Sequence, residues 1–219
     1  MRALILHPLH PSPSKPGDAG EFKREAMRFG DMLIADGWDV TMQTFDNRPV
    51  RPSRRKPVDR AIASGTWDML ALFGHGLRNS IQTGHDIASI PALADLLAEH
   101  SARPLRVELY ACDAARDNDR DKRDDVRDAV GGDGGFADLL RDALAERGVT
   151  GHVDAHAKTG HTTKNPHVRR FSMDDGPGKG AAFLVDPKSP HWRAWVRALK
   201  GDLRFRFPLM TREQIEAAL

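Results

Sequence analysis

Two stretches decide the reading: Met69-Leu70-Ala71-Leu72-Phe73-Gly74-His75-Gly76 and Val107-Glu108-Leu109-Tyr110-Ala111-Cys112. Each is an apolar run that ends in a reactive side chain, and Cys112 is the only cysteine of the 219-residue chain. Runs this short and this apolar read as strands buried on both faces, the habit of parallel sheets. Between them Pro91 to His100 reads as a helix with proline in its first turn. The unit is therefore strand, crossover helix, strand. Neighbouring strands of one sheet lie about 4.8 Å apart, so a histidine and a thiol leave the same sheet end side by side. A cysteine nucleophile needs its acid/base partner in that position.

The flanking sequence extends the same pattern. Ala3 to His7 reads as a first strand, and Glu21 to Asp36 as a helix on the recurrence of Phe22, Ala26, Phe29 and Leu33. Trp38 to Phe45 alternates as a strand, followed by a basic, proline-containing loop and a short helix near Val58 to Ser64. Beyond Cys112 an aspartate-rich segment, Asp113 to Gly135, has no sustained apolar period. Phe136 to Arg147 is a helix, Val153 to Ala157 a fifth strand and Ala181 to Val185 a sixth, with a long polar segment, Lys158 to Gly180, between the last two. Trp192 to Leu199 is a helix, and Thr211-Arg212-Glu213-Gln214 is a capping box that opens a last one. The expected fold is α/β: a three-layer sandwich with a mostly parallel sheet of about six strands and helices on both faces. We expect one domain over residues 1–219, with a helical extension from about residue 190. In such sheets sites lie beyond the carboxyl ends of the strands, where His75 and Cys112 both fall.

His75-Gly76 after one hydrophobic block and Ala111-Cys112 after the next resemble the motifs of the caspase-like superfamily of cysteine peptidases. That group includes caspases, metacaspases, legumains, gingipains, clostripain and separase. The resemblance covers residues 1 to about 157 in layout and those four residues in motif. It implies a caspase-like sheet, Cys112 as nucleophile, His75 as general acid/base, and the backbone N–H groups of Gly76 and Cys112 as oxyanion donors. Many relatives carry glycine one or two positions after the cysteine, where this chain reads Cys112-Asp113-Ala114-Ala115. In legumain-like and metacaspase-like relatives an acidic residue directly before the Ala/Ser-Cys pair belongs to the pocket for the residue preceding the scissile bond. Tyr110 stands there, and Asp113 is the nearest acidic group on the other side.

The chemistry demands such a pair in any case. A free thiol with a pKa near 8.5 is only a few per cent thiolate at neutral pH, and an adjacent imidazole corrects that. The expected activity is endopeptidase hydrolysis through a Cys-His dyad and an acyl-enzyme. Two alternatives stay open: an inactive caspase-like binding or regulatory module, and a thiol amidase acting on a non-protein amide.

Other clusters read as secondary. Asp117, Asp119, Asp121 and Asp125 match alternate ligand positions of an EF-hand-like calcium loop, but Lys122 stands where the sharp turn wants glycine. No cofactor is expected, with calcium the one candidate. His152, His156, His161 and His167 lack a recognised zinc spacing. The segment Lys158 to Pro166 instead leaves the strand beside the nucleophile strand, so His156, His161, Asn165 and Arg169 are candidate substrate contacts along one cleft wall. Asn79 to His85 is the opposite rim, with His85 a loop residue, and Asp68 and Glu108 read as structural.

The 33 basic and 31 acidic residues mostly alternate, with no basic stripe or stacking platform for nucleic acid. Arg51, Arg54, Arg55 and Lys56 read as a solvated loop. One cysteine excludes an intramolecular disulfide and fits a reducing compartment. The apolar start is too short for a signal peptide, and nothing approaches the ~18 apolar residues of a membrane span. We therefore expect a cytoplasmic protein whose partner is a peptide or protein substrate, of open oligomeric state.

Overall fold

A computed structural model describes residues 1–12, 17–48, 51–117, 130–160, 164–206 and 208–219. The chain runs β1 (Arg2–Pro8), α1 (Asp18–Ala35), β2 (Asp39–Phe45), α2 (Arg51–Ile62), β3 (Trp67–Phe73), a hairpin of β4 (Gly76–Leu77) and β5 (Ser80–Ile81), α3 (Ile90–Glu99) and β6 (Ser101–Tyr110). It continues through β7 (Val130–Gly131), α4 (Phe136–Glu146), β8 (Gly151–His156), β9 (Val168–Ser172), β10 (Ala181–Phe183), α5 (Trp192–Gly201), α6 (Leu203–Arg206) and α7 (Arg212–Ala218).

Eight strands form one sheet in the order β2-β1-β3-β6-β8-β9-β10-β7. The first five pair in parallel, and β9, β10 and β7 extend the sheet by antiparallel pairings. The sheet is thus larger and more mixed than the six mostly parallel strands expected.

The alternation of side chains along parallel strands sorts the core into two layers. On one face Leu4, Leu6, Leu70, Leu72, Val107, Leu109 and Val153 meet Val58 and Ile62 of α2, Leu93 and Leu97 of α3, and Phe136 and Leu140 of α4. On the other, Ala3, Ile5, Met69, Ala71, Phe73 and Tyr110 meet Phe22, Ala26, Phe29 and Leu33 of α1. The C-terminal helices cover the rest of this second face, with Trp195, Leu199, Phe205 and Ile215 gathered on Val168 of β9.

Two segments depart from expectation. The basic loop is the first half of α2, which starts at Arg51 and carries Pro57 inside it. Its own propensity is poor, and tertiary contacts hold it: Arg54 donates to the Gln82 carbonyl at 3.2 Å, while Val58 and Ile62 are buried. The polar segment after β8 contains β9, whose arginines are compensated in place. Arg170 binds both carboxylate oxygens of Asp154, and the Arg169 guanidinium lies 4.3 Å from the centre of the Phe183 ring. A strand with two consecutive arginines does not read as a core strand until those partners are known.

Candidate active site

The parallel register of β3 and β6 sets Phe73 opposite Tyr110, and the Gly74 N–H donates to the Tyr110 carbonyl at 3.2 Å. His75 and Cys112 each stand two residues beyond that rung, at the carboxyl end of the sheet. The two turns touch. A Cβ built on Gly76 would overlap the Cys112 carbonyl oxygen and lie 2.8 Å from the Ala111 Cβ. Glycine is required here by that close approach.

The hairpin also orients the Gly76 N–H. Gly76 faces Ile81, and the preceding pair is joined by the Gln82 N–H donating to the His75 carbonyl at 2.8 Å. Antiparallel pairs alternate between bonded and non-bonded, so the Gly76 N–H turns away from β5.

Cys112 is half-buried, and its Sγ lies 3.3 Å from the Gly160 carbonyl oxygen in the loop after β8. Asp113 follows with φ +56°, the left-handed conformation that glycine adopts freely and that aspartate tolerates better than most residues. Asp113 is fixed by the Thr159 hydroxyl, which donates to its carboxylate at 2.8 Å. The Ala115 N–H donates to the His156 carbonyl and the Ala137 N–H to the Ala114 carbonyl, both near 3 Å, tying the turn to β8 and α4.

His75 has a partner that the sequence reading missed. Its Nε2 is hydrogen-bonded to the Asp18 carboxylate, in the first turn of α1. Asp18 is buried, and its other oxygen accepts the Ser12 N–H at 2.9 Å. Phe22, one turn further along α1, packs edge-on against the imidazole with 5.2 Å between ring centres. With Nε2 held by a carboxylate, Nδ1 is the ring nitrogen left for the thiol or a substrate. The signal in the sequence was position: the loop after β1 opens at the same sheet end, so any carboxylate there was a candidate.

The backbone of His75 is braced as well, its N–H donating to Gln82 Oε1 at 2.8 Å. Gln82 belongs to a loop pinned from α2: His85, read as a plain loop residue, is buried between Asp59 at 3.0 Å and the Thr83 hydroxyl at 2.9 Å.

The remaining candidates fall elsewhere. Tyr110 is buried, stacked on Phe73 with ring centres 4.4 Å apart, and burial pushes its hydroxyl pKa well above the usual tyrosine range. It lies beneath the site, with the buried His156 edge-on to it at 6.0 Å. Asn165 braces the loop from within, donating to the Lys158 carbonyl and accepting the His167 N–H. Arg169 is wholly buried, and its side chain donates to the Ala181 carbonyl at 3.4 Å, which turns it into the sheet and away from a cleft wall. His161 lies outside the described residues, as do Asp119, Asp121 and Asp125 of the candidate calcium loop. Asp117 is buried and accepts the N–H groups of Gly132 and Asp133 at 2.6 and 2.7 Å, so it anchors the far end of that segment. Asp68 accepts the Arg2 N–H at 2.6 Å, a structural contact.

No helix among the described residues is long and apolar enough to cross a membrane. Comparison with protein-family models and with curated proteins finds no match to this chain.

Proposed function

We propose that this protein is a caspase-like cysteine endopeptidase that acts through Cys112 and His75, with Asp18 orienting the imidazole. The observation that carries the reading is the shared rung of β3 and β6, beyond which the histidine and the only thiol emerge together, with Gly76 pressed against the Cys112 carbonyl. In this mechanism His75 takes the Cys112 proton, and the sulfur attacks the scissile carbonyl carbon. The developing oxyanion meets the N–H groups of Gly76 and Cys112. Losing one such donor typically costs about 3 kcal/mol of transition-state stabilisation. The imidazolium then protonates the departing amine, leaving a thioester on Cys112. Water, deprotonated by His75, hydrolyses that thioester and restores the thiol. Asp18 stabilises the imidazolium and fixes the ring so that one nitrogen always faces the thiol. The loop after β8 borders the sulfur through Gly160 and supplies one wall for the substrate chain. Tyr110, buried and stacked, provides no acidic group for a basic residue before the scissile bond.

The test is digestion of a diverse peptide mixture, read by mass spectrometry for the wild type and for Cys112→Ala. Cuts that vanish in the variant establish the peptidase and reveal its preference. Identical cleavage by both proteins removes Cys112 from the chemistry.

A further inference from the structure

On the second face of the sheet, four residues before Cys112, β6 buries a carboxylate with an unsatisfied oxygen. Glu108 is 2 % exposed, and its Oε1 has no hydrogen-bond partner among the described residues. A bare buried carboxylate oxygen is costly, so it points to something that neutralises it. Parallel pairing sets Glu108 beside Asp154 and Arg106 beside His152, with all four side chains on this face. His152 Nε2 is also unpartnered, and lies 3.9 Å from Glu108 Oε1 and 4.0 Å from Asp154 Oδ2. One ligand atom from each of Glu108, His152 and Asp154 lies within 4.8 Å of the others.

We propose that Glu108, His152 and Asp154 bind one divalent first-row transition cation, zinc being the best fit, which clamps β6 to β8. Zinc takes carboxylate oxygen and imidazole nitrogen at about 2.0 to 2.2 Å in a tetrahedron, so its ligand atoms stand about 3.4 Å apart. The observed spacing closes to that by small side-chain rotations. Imidazole favours zinc and its neighbours in the first transition row over calcium or magnesium, which prefer all-oxygen sets.

The surrounding groups fit a site with one open position. Arg170 occupies one edge of Asp154 with bonds of 2.9 and 2.6 Å, and a carboxylate offers about four lone-pair positions, so two remain. Arg170 also donates to the Pro208 and Met210 carbonyls, strapping the segment before α7 over the cluster. That arrangement resembles the outer-shell support that orients metal-bound carboxylates. An open pocket of about 280 Å³, bordered by Arg106, His152, Arg170, Ser172, Asp174 and Leu209, reaches His152 and gives a cation and its water a way in. Burial and the neighbouring Asp154 push the Glu108 pKa well above the usual carboxylate range, so a cation entering the cluster must displace the Glu108 proton. Once it does, the two carboxylates against Arg170 leave one negative charge, which Arg106 opposes.

The experiment uses the full chain carrying His75→Ala and Cys112→Ala, because a thiol–imidazole pair binds zinc on its own. Equilibrium dialysis against zinc chloride is expected to show one tightly bound equivalent. Its affinity should fall at least tenfold on adding Glu108→Gln, and likewise on adding His152→Ala, a half-buried position that tolerates truncation. Zinc should raise the melting temperature of the parent and not of either variant. Absence of a saturable equivalent, or one that both variants retain, overturns the proposal and leaves Glu108 as a buried neutral acid. Tighter binding of calcium or magnesium than of zinc overturns the choice of metal.

Discussion

Gly76→Ala is the substitution that probes the candidate site most quantitatively. Gly76 has no positive φ, so alanine brings no backbone strain, and its effect comes from contact alone. The new methyl would sit 2.8 Å from the Ala111 Cβ and 3.0 Å from the Ala111 carbonyl carbon, besides overlapping the Cys112 oxygen. Carbon atoms are at ease near 3.5 Å, so the His-Gly turn and the Ala-Cys turn must part by about 0.7 Å or more. None of these neighbours is the tip of a flexible side chain, so the backbone itself has to move. Overpacking of this kind costs about 1 to 3 kcal/mol, which in a domain of this size lowers the melting temperature by about 2 to 12 °C. The same displacement moves the thiol and the proposed oxyanion donor at Gly76 relative to the imidazole, and in the proposed mechanism a shift approaching 1 Å costs about 10²-fold in rate. Differential scanning calorimetry reads the first effect, and kcat/KM on the best peptide from the digest reads the second. A variant that melts with the wild type and keeps kcat/KM within twofold would refute the close packing of the two turns.

Four further outcomes follow from the same geometry. Asp18→Asn keeps the shape of the brace but removes its charge, so kcat should fall on the order of 10²-fold or more with KM little changed; an unchanged kcat separates Asp18 from the imidazole's work. Asp113→Gly should leave stability within about 1 kcal/mol, relief of the left-handed backbone offsetting the lost Thr159 bond, whereas Asp113→Val should cost about 2 kcal/mol in urea denaturation; equal losses would contradict the turn geometry. Arg170→Met strands the buried carboxylate of Asp154 and should cost about 3 to 5 kcal/mol by the same assay; a stabilised variant would show that this pair opposes folding. His167, pressed against Trp192 and Phe183, has its pKa lowered by burial to about 4. The unfolded chain therefore binds the extra proton between about pH 6.5 and 4, so wild-type stability should fall through that window relative to His167→Phe and run parallel to it above pH 7. Parallel curves throughout would exclude the shift.

How much of this was legible beforehand depends on where the information lies. The apolar runs of β1, β3, β6 and β8 declare themselves because parallel strands are buried on both faces, and α1 and α4 because one face must be apolar. His75 and Cys112 follow from those runs, since a strand's end fixes where the next side chains emerge. Asp18 was hidden because its partner stands 57 residues away, and only the position of the β1 loop hints at it. β9 was hidden because Arg169 and Arg170 look solvated until Asp154 and Phe183 are set beside them. Glu108 was read as a structural side chain on an otherwise apolar strand. Its unsatisfied oxygen and its nearness to His152 depend on the pairing of β6 with β8, which no local pattern encodes.

The central claim is that His75 activates Cys112, and the direct measurement is the rate at which a peptidyl electrophile alkylates the protein, followed by intact mass. The account predicts a single adduct on Cys112 that forms far faster than on a free thiol of the same solution. His75→Ala should slow it by 10²-fold or more in protein that still folds, as its circular dichroism reads. Equal labelling rates for wild type and His75→Ala would contradict the account, because the thiol would then owe nothing to the histidine beside it.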